Sequence, residues 1–284
     1  MLTVNWPLPE KQVSLDACKV EPGEGMVAVE RFNEFFKLKP TTEGGNPKDL
    51  PALIEKIKMS VIETLYAQAR DHETTNEFIT ALRITLAADG TKVKAIYSAL
   101  QLNCVETYYD VCANPISKYT VGWEGTKYEI QNDTLVQATI TDPPKSYSDN
   151  IHVSEMGNGS YRNAQYGNTI THDVQSHILT FQEIFKLAKD NHPMSNVHLY
   201  NALRQVNELA KHGVLLTPVT LINVTSGGTT AINELMPTEA ANGLKTIAGT
   251  KAFNLVNVSS KPGGFANMSH LCPPSCSGFL FIME

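Results

Sequence analysis

Apolar residues recur at two different spacings along this chain, and the change between them is its first structural signal. Leu53, Ile54, Ile57, Val61, Ile62, Leu65 and Tyr66 follow the three-to-four spacing of one helix face, with Glu55, Lys56, Lys58 and Glu63 on the wet side. Asp49 is a suitable N-cap for that helix, and Pro51 suits its first turn. A shorter amphipathic helix is expected over residues 26–38, carried by Val29, Phe32, Phe35 and Phe36. A further helix is expected from Thr75 to Ala88, with Phe78, Ile79 and Leu82 inward and Asp89-Gly90 as its stop. Another begins near Thr91, carries Val93, Ile96, Tyr97 and Leu100, and continues brokenly to Cys112. Short connections between such helices imply antiparallel neighbours, so residues 26–114 are predicted to form a helical bundle.

At Asn114-Pro115 the period falls to two. Tyr119–Trp123, Lys127–Ile130 and Leu135–Ile140 read as three strands of a small antiparallel section, turned by Glu-Gly and Asn-Asp. Residues 142–168, rich in Asn, Ser, Gly and Tyr, read as a long interaction loop. Helical spacing returns over Thr171–Lys189 and Ser195–Lys211, the latter stopped by His212-Gly213. Val214–Val224 reads as a strand, Ala231–Met236 and Glu239–Ile247 as weak helices, and Phe253–Val258 as a strand.

The two ends have their own character. Pro7, Pro9 and Pro22 exclude helix from residues 1–25, where Val13, Leu15 and Ala17 alternate in an extended arm. After the turn-rich stretch from Ser259, residues 278–284 read Gly-Phe-Leu-Phe-Ile-Met-Glu. That run is far shorter than the roughly 20 apolar residues needed to cross a bilayer. It therefore docks as a last strand, in its own fold or in a neighbour. Pro273, Pro274 and Gly278, a stiff turn and then a flexible joint, favour the neighbour. The predicted class is α+β: an N-terminal helical bundle at 26–114, an antiparallel β section with a long loop at 115–168, a mixed helical and strand part at 169–258, and extended arms at 1–25 and 259–284.

Composition narrows the function. Hydrophobic residues make up 42% of the chain and charged residues only 18%, below the typical share of about 25%, which leaves much neutral surface for protein contacts. The net charge is -6 and the lysines are scattered, so the basic run that marks nucleic-acid binding is missing. The first residues lack a basic segment followed by an apolar core, so synthesis in the cytoplasm without a signal peptide is expected. The five cysteines, at 18, 104, 112, 272 and 276, are then expected to be reduced.

No motif carries chemistry by itself. His172 and His177 are five residues apart and diverge by about 140° on a helix, whereas helical zinc ligands stand four apart. Asp173 is explained as a carboxylate at a helix N-terminus. Cys272 and Cys276 flank a proline turn with one residue more than a redox or zinc pair uses, and read as small buried hydrophobes. No phosphate loop and no dinucleotide fingerprint is present. No cofactor, no metal and no catalytic residue is predicted. The arms, the Tyr/Asn-rich loop and the apolar tail point instead to a self-assembling structural protein, such as a viral or phage particle subunit (capsid, coat or tail). Its partners would be copies of itself and other particle proteins, and it would reside in the virion. Trp6, Tyr147, Tyr161, Tyr166, Phe279, Leu280, Phe281 and Ile282 are the expected assembly contacts. The alternatives are a cytoplasmic enzyme using separated residues such as His172, Asp173, His198 and Cys272, or a small-molecule or glycan-binding module using the β section and its tyrosines.

Overall fold

The computed structural model describes residues 19–20, 28–29, 32–33, 35–40, 42–109, 115–153, 176–190, 194–206, 209–224, 228–233, 265–266, 270–272 and 279–283. Strands dominate them. In chain order the elements are β1 (Lys19–Val20), β2 (Phe36–Leu38), β3 (Lys48–Asp49), β4 (Leu53–Lys58), α1 (Met59–Asp71), β5 (Phe78–Ala88), β6 (Val93–Tyr109) and β7 (Pro115–Glu124). There follow β8 (Tyr128–Gln131), β9 (Thr134–Gln137), α2 (Pro143–Asn150), β10 (Ile151–Val153), β11 (Ser176–Thr180), α3 (Phe181–Asp190), β12 (Met194–Val206) and β13 (Leu209–Val224). The last are β14 (Gly228–Asn233), β15 (Phe265–Ala266), β16 (His270–Cys272) and β17 (Phe279–Met283).

The largest sheet runs β16-β11-β5-β6-β7-β17, with β8 beside β6 and β9 beside β8. A second runs β1-β15-β13-β12-β4 with β14 beside β13, and a small third runs β10-β2-β3. This is a mostly β protein, and the expected N-terminal helical bundle is overturned. The segments read as helices from Thr75 and Thr91 are β5 and β6, paired antiparallel from Phe78↔Asn103 to Ala88↔Val93. The helix expected over Ser195–Lys211 is β12 and the start of β13, and His212-Gly213 lies inside that ladder opposite Leu203 and Ala202. Within Thr171–Lys189, Ser176–Thr180 is strand and only Phe181 onward is helix. The long helix expected from Leu53 begins at Met59, and Leu53–Lys58 is β4.

The physical reason is that β5 and β6 are buried on both faces. Leu82, Ile84 and Leu86 of β5, with Val93, Ala95, Tyr97 and Ala99 of β6, enter the main core. Ile79, Ala81, Leu100 and Leu102 enter a second cluster on the opposite face, with Tyr119 and Ile178. A strand apolar on both sides loses its alternation and imitates any period. Asp89-Gly90 is a hairpin turn rather than a helix stop. Gly90 takes φ of +82°, and Asp89 Oδ1 accepts from the Thr91 and Lys92 amides at 3.0 and 3.1 Å. Partial burial of Asp89 opposes its charge, yet the Thr91 hydroxyl and amide, Lys94 and the Lys92 amide hold the carboxyl well below its usual range.

Where one face is wet, the pattern and the structure agree. Tyr119–Trp123 lies in β7, Lys127–Ile130 overlaps β8, and Asn132-Asp133 turns β8 into β9 with φ of 51° and 62°. The loop expected at 142–168 is structured in its first part. Asp142 caps α2 by accepting from the Lys145 amide at 3.1 Å, and β10 follows, while 154–168 lies outside the described residues. The second weak helix and the strand expected over 239–258 also lie outside them, and Ala231, expected to open a helix, is in β14.

Helices α1 and α3 share the core between the two large sheets, where Tyr66 meets the edges of Phe181 and Phe185 at 5.5 and 5.1 Å. Thr180 and Glu183 form a buried capping box at the start of α3: the Thr180 amide donates to Glu183 Oε2 at 2.6 Å, and the Glu183 amide to Thr180 Oγ1 at 3.2 Å. The C-terminal end of α1 is tied to β6. Buried Gln101 donates through Nε2 to the carbonyls of Ala69 (2.6 Å) and His72 (2.9 Å), and the His72 ring stacks on Trp123 at 4.4 Å. Replacing Gln101 by Leu strips both carbonyls of their donor at the centre of the sheet. The variant is expected to lose about 2–3 kcal/mol of stability, read as a lowered urea midpoint with unchanged slope.

Candidate functional site

The residues that break the local rules most clearly meet where the second sheet touches the first. Strand β4 lies along β12, with Ile57 opposite Val197 and Glu55 opposite Leu199. Ile57, Val197 and Leu199 are core residues, so side-chain alternation sends Glu55 to the core side as well. There the Tyr97 hydroxyl, on a side chain 1% exposed, donates to Glu55 Oε2 at 3.3 Å. Glu129 of β8 stands nearby, 9% exposed, with its Oε1 lacking a hydrogen-bond partner among the described residues.

The electrostatics follow from that geometry. Burial pushes the Glu55 carboxyl up to about 7; the Tyr97 hydrogen bond and the Lys92 charge pull against it, and the Glu129 charge adds to the rise. Burial and the Glu55 charge also push the Tyr97 hydroxyl well above its usual range. A carboxyl balanced near neutrality can take up or release a proton under ordinary conditions, which is the chemistry this arrangement offers. On the outer side of the same strands, burial and then the Lys56 charge lower His198 to about 4. A separate polar cluster joins three strands of the large sheet: Arg83 Nη1 donates to Glu124 Oε2 at 2.5 Å and Ser98 Oγ to Glu124 Oε1 at 2.7 Å. Opposite charges face each other across the strands as a cross-strand tie, while Arg83 Nε has no hydrogen-bond partner among the described residues.

The residues singled out from sequence do not converge on this place. Tyr147, expected as an assembly contact, is fully buried in the main core as part of α2. Phe279, Leu280, Phe281 and Ile282 form β17, paired in order with Thr120, Tyr119, Lys118 and Ser117 of β7 in the same chain. Cys272 is in β16 of the large sheet, opposite Ser176, whereas His198 is carried by β12 of the second sheet. His177 is strand and buried, not helical. Trp6, Tyr161, Tyr166, His172, Asp173 and Cys276 lie outside the described residues. Among the described residues no three His, Cys, Asp or Glu side chains gather in a metal-holding group, and no helix is long and apolar enough to cross a membrane. Glu55, Tyr97 and Glu129 were missed because Glu55 reads as wet only on a helix. Read as a strand, Glu55 shares a face with Ile57, and that clash is the signal that exposes it. No known protein family, curated protein or solved structure matches the chain.

Two opposed pH effects follow. Glu55 rises from an ordinary 4.5 to about 7 on folding, so its stabilisation is complete below pH 4.5 and lost as pH climbs through 7. His198 falls from 6.5 to about 4, so its stabilisation is complete above pH 6.5 and lost as pH falls through 4. The slopes cancel between pH 4.5 and 6.5. Glu55→Gln removes one of them. Its unfolding free energy is expected to drop on acidification across that window by about 1–2 kcal/mol more than that of the natural chain, after allowance for solvent screening. Urea titrations at several pH values measure this; parallel profiles for the two proteins would contradict it.

Proposed function

We propose that the chain is a self-assembling structural subunit, of the kind that builds a viral or phage particle as a capsid, coat or tail component. The observation that carries this reading is the attachment of β17. Five consecutive residues, Phe279–Met283, are held antiparallel along Thr120–Ile116 at the end of the described order of the large sheet. A strand joined to the end of a sheet through main-chain pairing leaves a complementary edge when it departs, and the same pairing forms equally well between two copies. The sequence just before it contains Pro273, Pro274 and Gly278. The chain's charged share of 18% adds little repulsion between copies. In this reading β17 of one subunit completes β7 of the next, and the partners are further copies and other particle proteins.

The test is sedimentation of the full chain over a concentration series, beside a chain lacking residues 278–284. Association that grows with concentration in the full chain and vanishes in the shortened one is the expected result. A full chain that stays monomeric at high concentration overturns the assembly reading. A shortened chain that melts much earlier yet associates as strongly overturns the role of β17.

A further inference from the structure

The β8–β9 hairpin leaves one sheet edge open, far from any part played by β17. Its two-residue turn, Asn132-Asp133, has positive φ at both positions, so Gln131↔Thr134 is the closing hydrogen-bonded pair. Bonded and non-bonded pairs alternate from there, which makes Glu129↔Val136 a bonded pair. The Ala138 amide, donating to the Lys127 carbonyl at 2.9 Å, agrees with that phase. Leu135 and Gln137 fall in between, so their amides and carbonyls point away from β8. Among the described strands β9 pairs only with β8.

The hairpin is anchored from its other side. Tyr128 bridges to Tyr97 of β6, Ile130 and Leu135 rest against the main core, and Asp133 pairs with Lys58 at 2.9 Å. The open edge is thus presented by a fixed element. It carries none of the usual guards against pairing: Thr134–Thr141 reads Thr-Leu-Val-Gln-Ala-Thr-Ile-Thr, with neither a charge nor a proline. Among the described residues the exposed large apolar side chain is Val136, 39% exposed, at the middle of this edge. The outward backbone groups are symmetric about it, with Leu135 on one side and Gln137 on the other. A second copy laid antiparallel with Val136 on the two-fold axis places Leu135 opposite the copy's Gln137 and Thr134 opposite its Ala138. No like charges oppose each other in that row. Val136 then meets its own equivalent as a close, non-hydrogen-bonded pair, which covers the exposed side chain.

We infer that β9 is a self-association edge, at which two copies of this chain pair antiparallel about Val136. A strand of 4 residues buries less than the roughly 1,200 Å² of a stable interface, so the pairing is weak by itself and gains strength wherever a second contact holds the copies together.

Disulfide trapping on the full chain tests this. The Val136→Cys chain is treated with the thiol oxidant diamide over a concentration series, and linked peptides are identified by mass. A link from 136 to 136 that grows with concentration is expected, because residues of such a pair stand about 4.5 Å apart at Cα, within disulfide reach. Adding Gln137→Pro removes the outward amide and leaves the bonds to β8, since proline is tolerated on the open side of an edge strand. The link is then expected to fall about tenfold or more. Separately, Gln137→Cys is expected to link 137 to 137 far less, because those residues lie diagonally, about 7–8 Å apart. That variant carries the test if the proline variant folds poorly. No link from 136 to 136 at the highest soluble concentration overturns the inference. So does a link undiminished by Gln137→Pro in folded protein, or one from 137 to 137 that is equally abundant. A link from 136 to another part of the chain in its place reports a different occupant of the edge and also overturns it. The readout sits at residue 136, so failure of the β17 exchange leaves it unchanged.

Discussion

Everything described in this molecule takes its position from the β5–β6 ladder. Eleven consecutive antiparallel pairs, from Phe78↔Asn103 to Ala88↔Val93, set the frame on which β11, β7 and β8 are hung. A one-residue slip would exchange the two faces of either strand. That slip would carry Leu82, Ile84 and Leu86 away from α1 and α3, and would bring Arg83 into the main core. Gln101 would lose the two carbonyls it caps, and Tyr97 would turn from Glu55. The tight Asp89-Gly90 turn and the burial of both faces forbid it together. The turn fixes the starting pair, and each later pair repeats the choice.

The same double burial explains how much could be read from the chain alone. The apolar spacing Val93, Ile96, Tyr97, Leu100 is the spacing of a helix face, yet Ala95, Ala99 and Leu102 belong to the same strand and fill what would be the gaps. With apolar residues on both sides of a strand, helical and extended periods fit equally well, and only β-branching and length argue between them. Wet faces restore the contrast. Lys127–Ile130 and the Asn132-Asp133 turn were legible because one side of that hairpin meets solvent and its turn requires residues that tolerate positive φ. Helix α3 was legible in type but not in start, since its boundary is set by the Thr180–Glu183 capping box in the middle of an otherwise continuous pattern.

The candidate site was hidden by that same ambiguity rather than by distance. On a helix, Glu55 is an ordinary surface glutamate beside Lys56 and Lys58. On a strand, it stands between neighbours that point into the core, where its carboxyl costs free energy unless protonated or hydrogen-bonded. Its hydrogen-bond partner is Tyr97, and the charges of Lys92 and Glu129 act on it, brought there by sheet packing rather than by sequence proximity. No local motif encodes such a meeting. What the sequence does carry is a conflict, a charged residue in the inward row of a strand, and that conflict becomes visible only once the period is known.

The two departures from ordinary packing lie in different parts of the fold and obey different physics. At the Glu55 joint the conflict is electrostatic and local. At β17 it concerns an edge. Soluble sheets commonly guard their edges with lysine, proline, bulges or very short strands, because an open row of backbone donors and acceptors templates further pairing. The opposite described end of the large sheet follows that practice, with β16 only three residues long. The β17 end does not: it reads Phe-Leu-Phe-Ile-Met, with neither a charge nor a proline in its five residues. Under the assembly proposed above, a strand contributed by or offered to another copy would cover this described edge with a hydrogen-bonding pattern the chain already contains. Protection by charge would have required only one lysine in this row. The five residues of β17 hold no such lysine in a chain with 23 lysines and arginines, and the assembly proposed above would supply a cover by pairing instead.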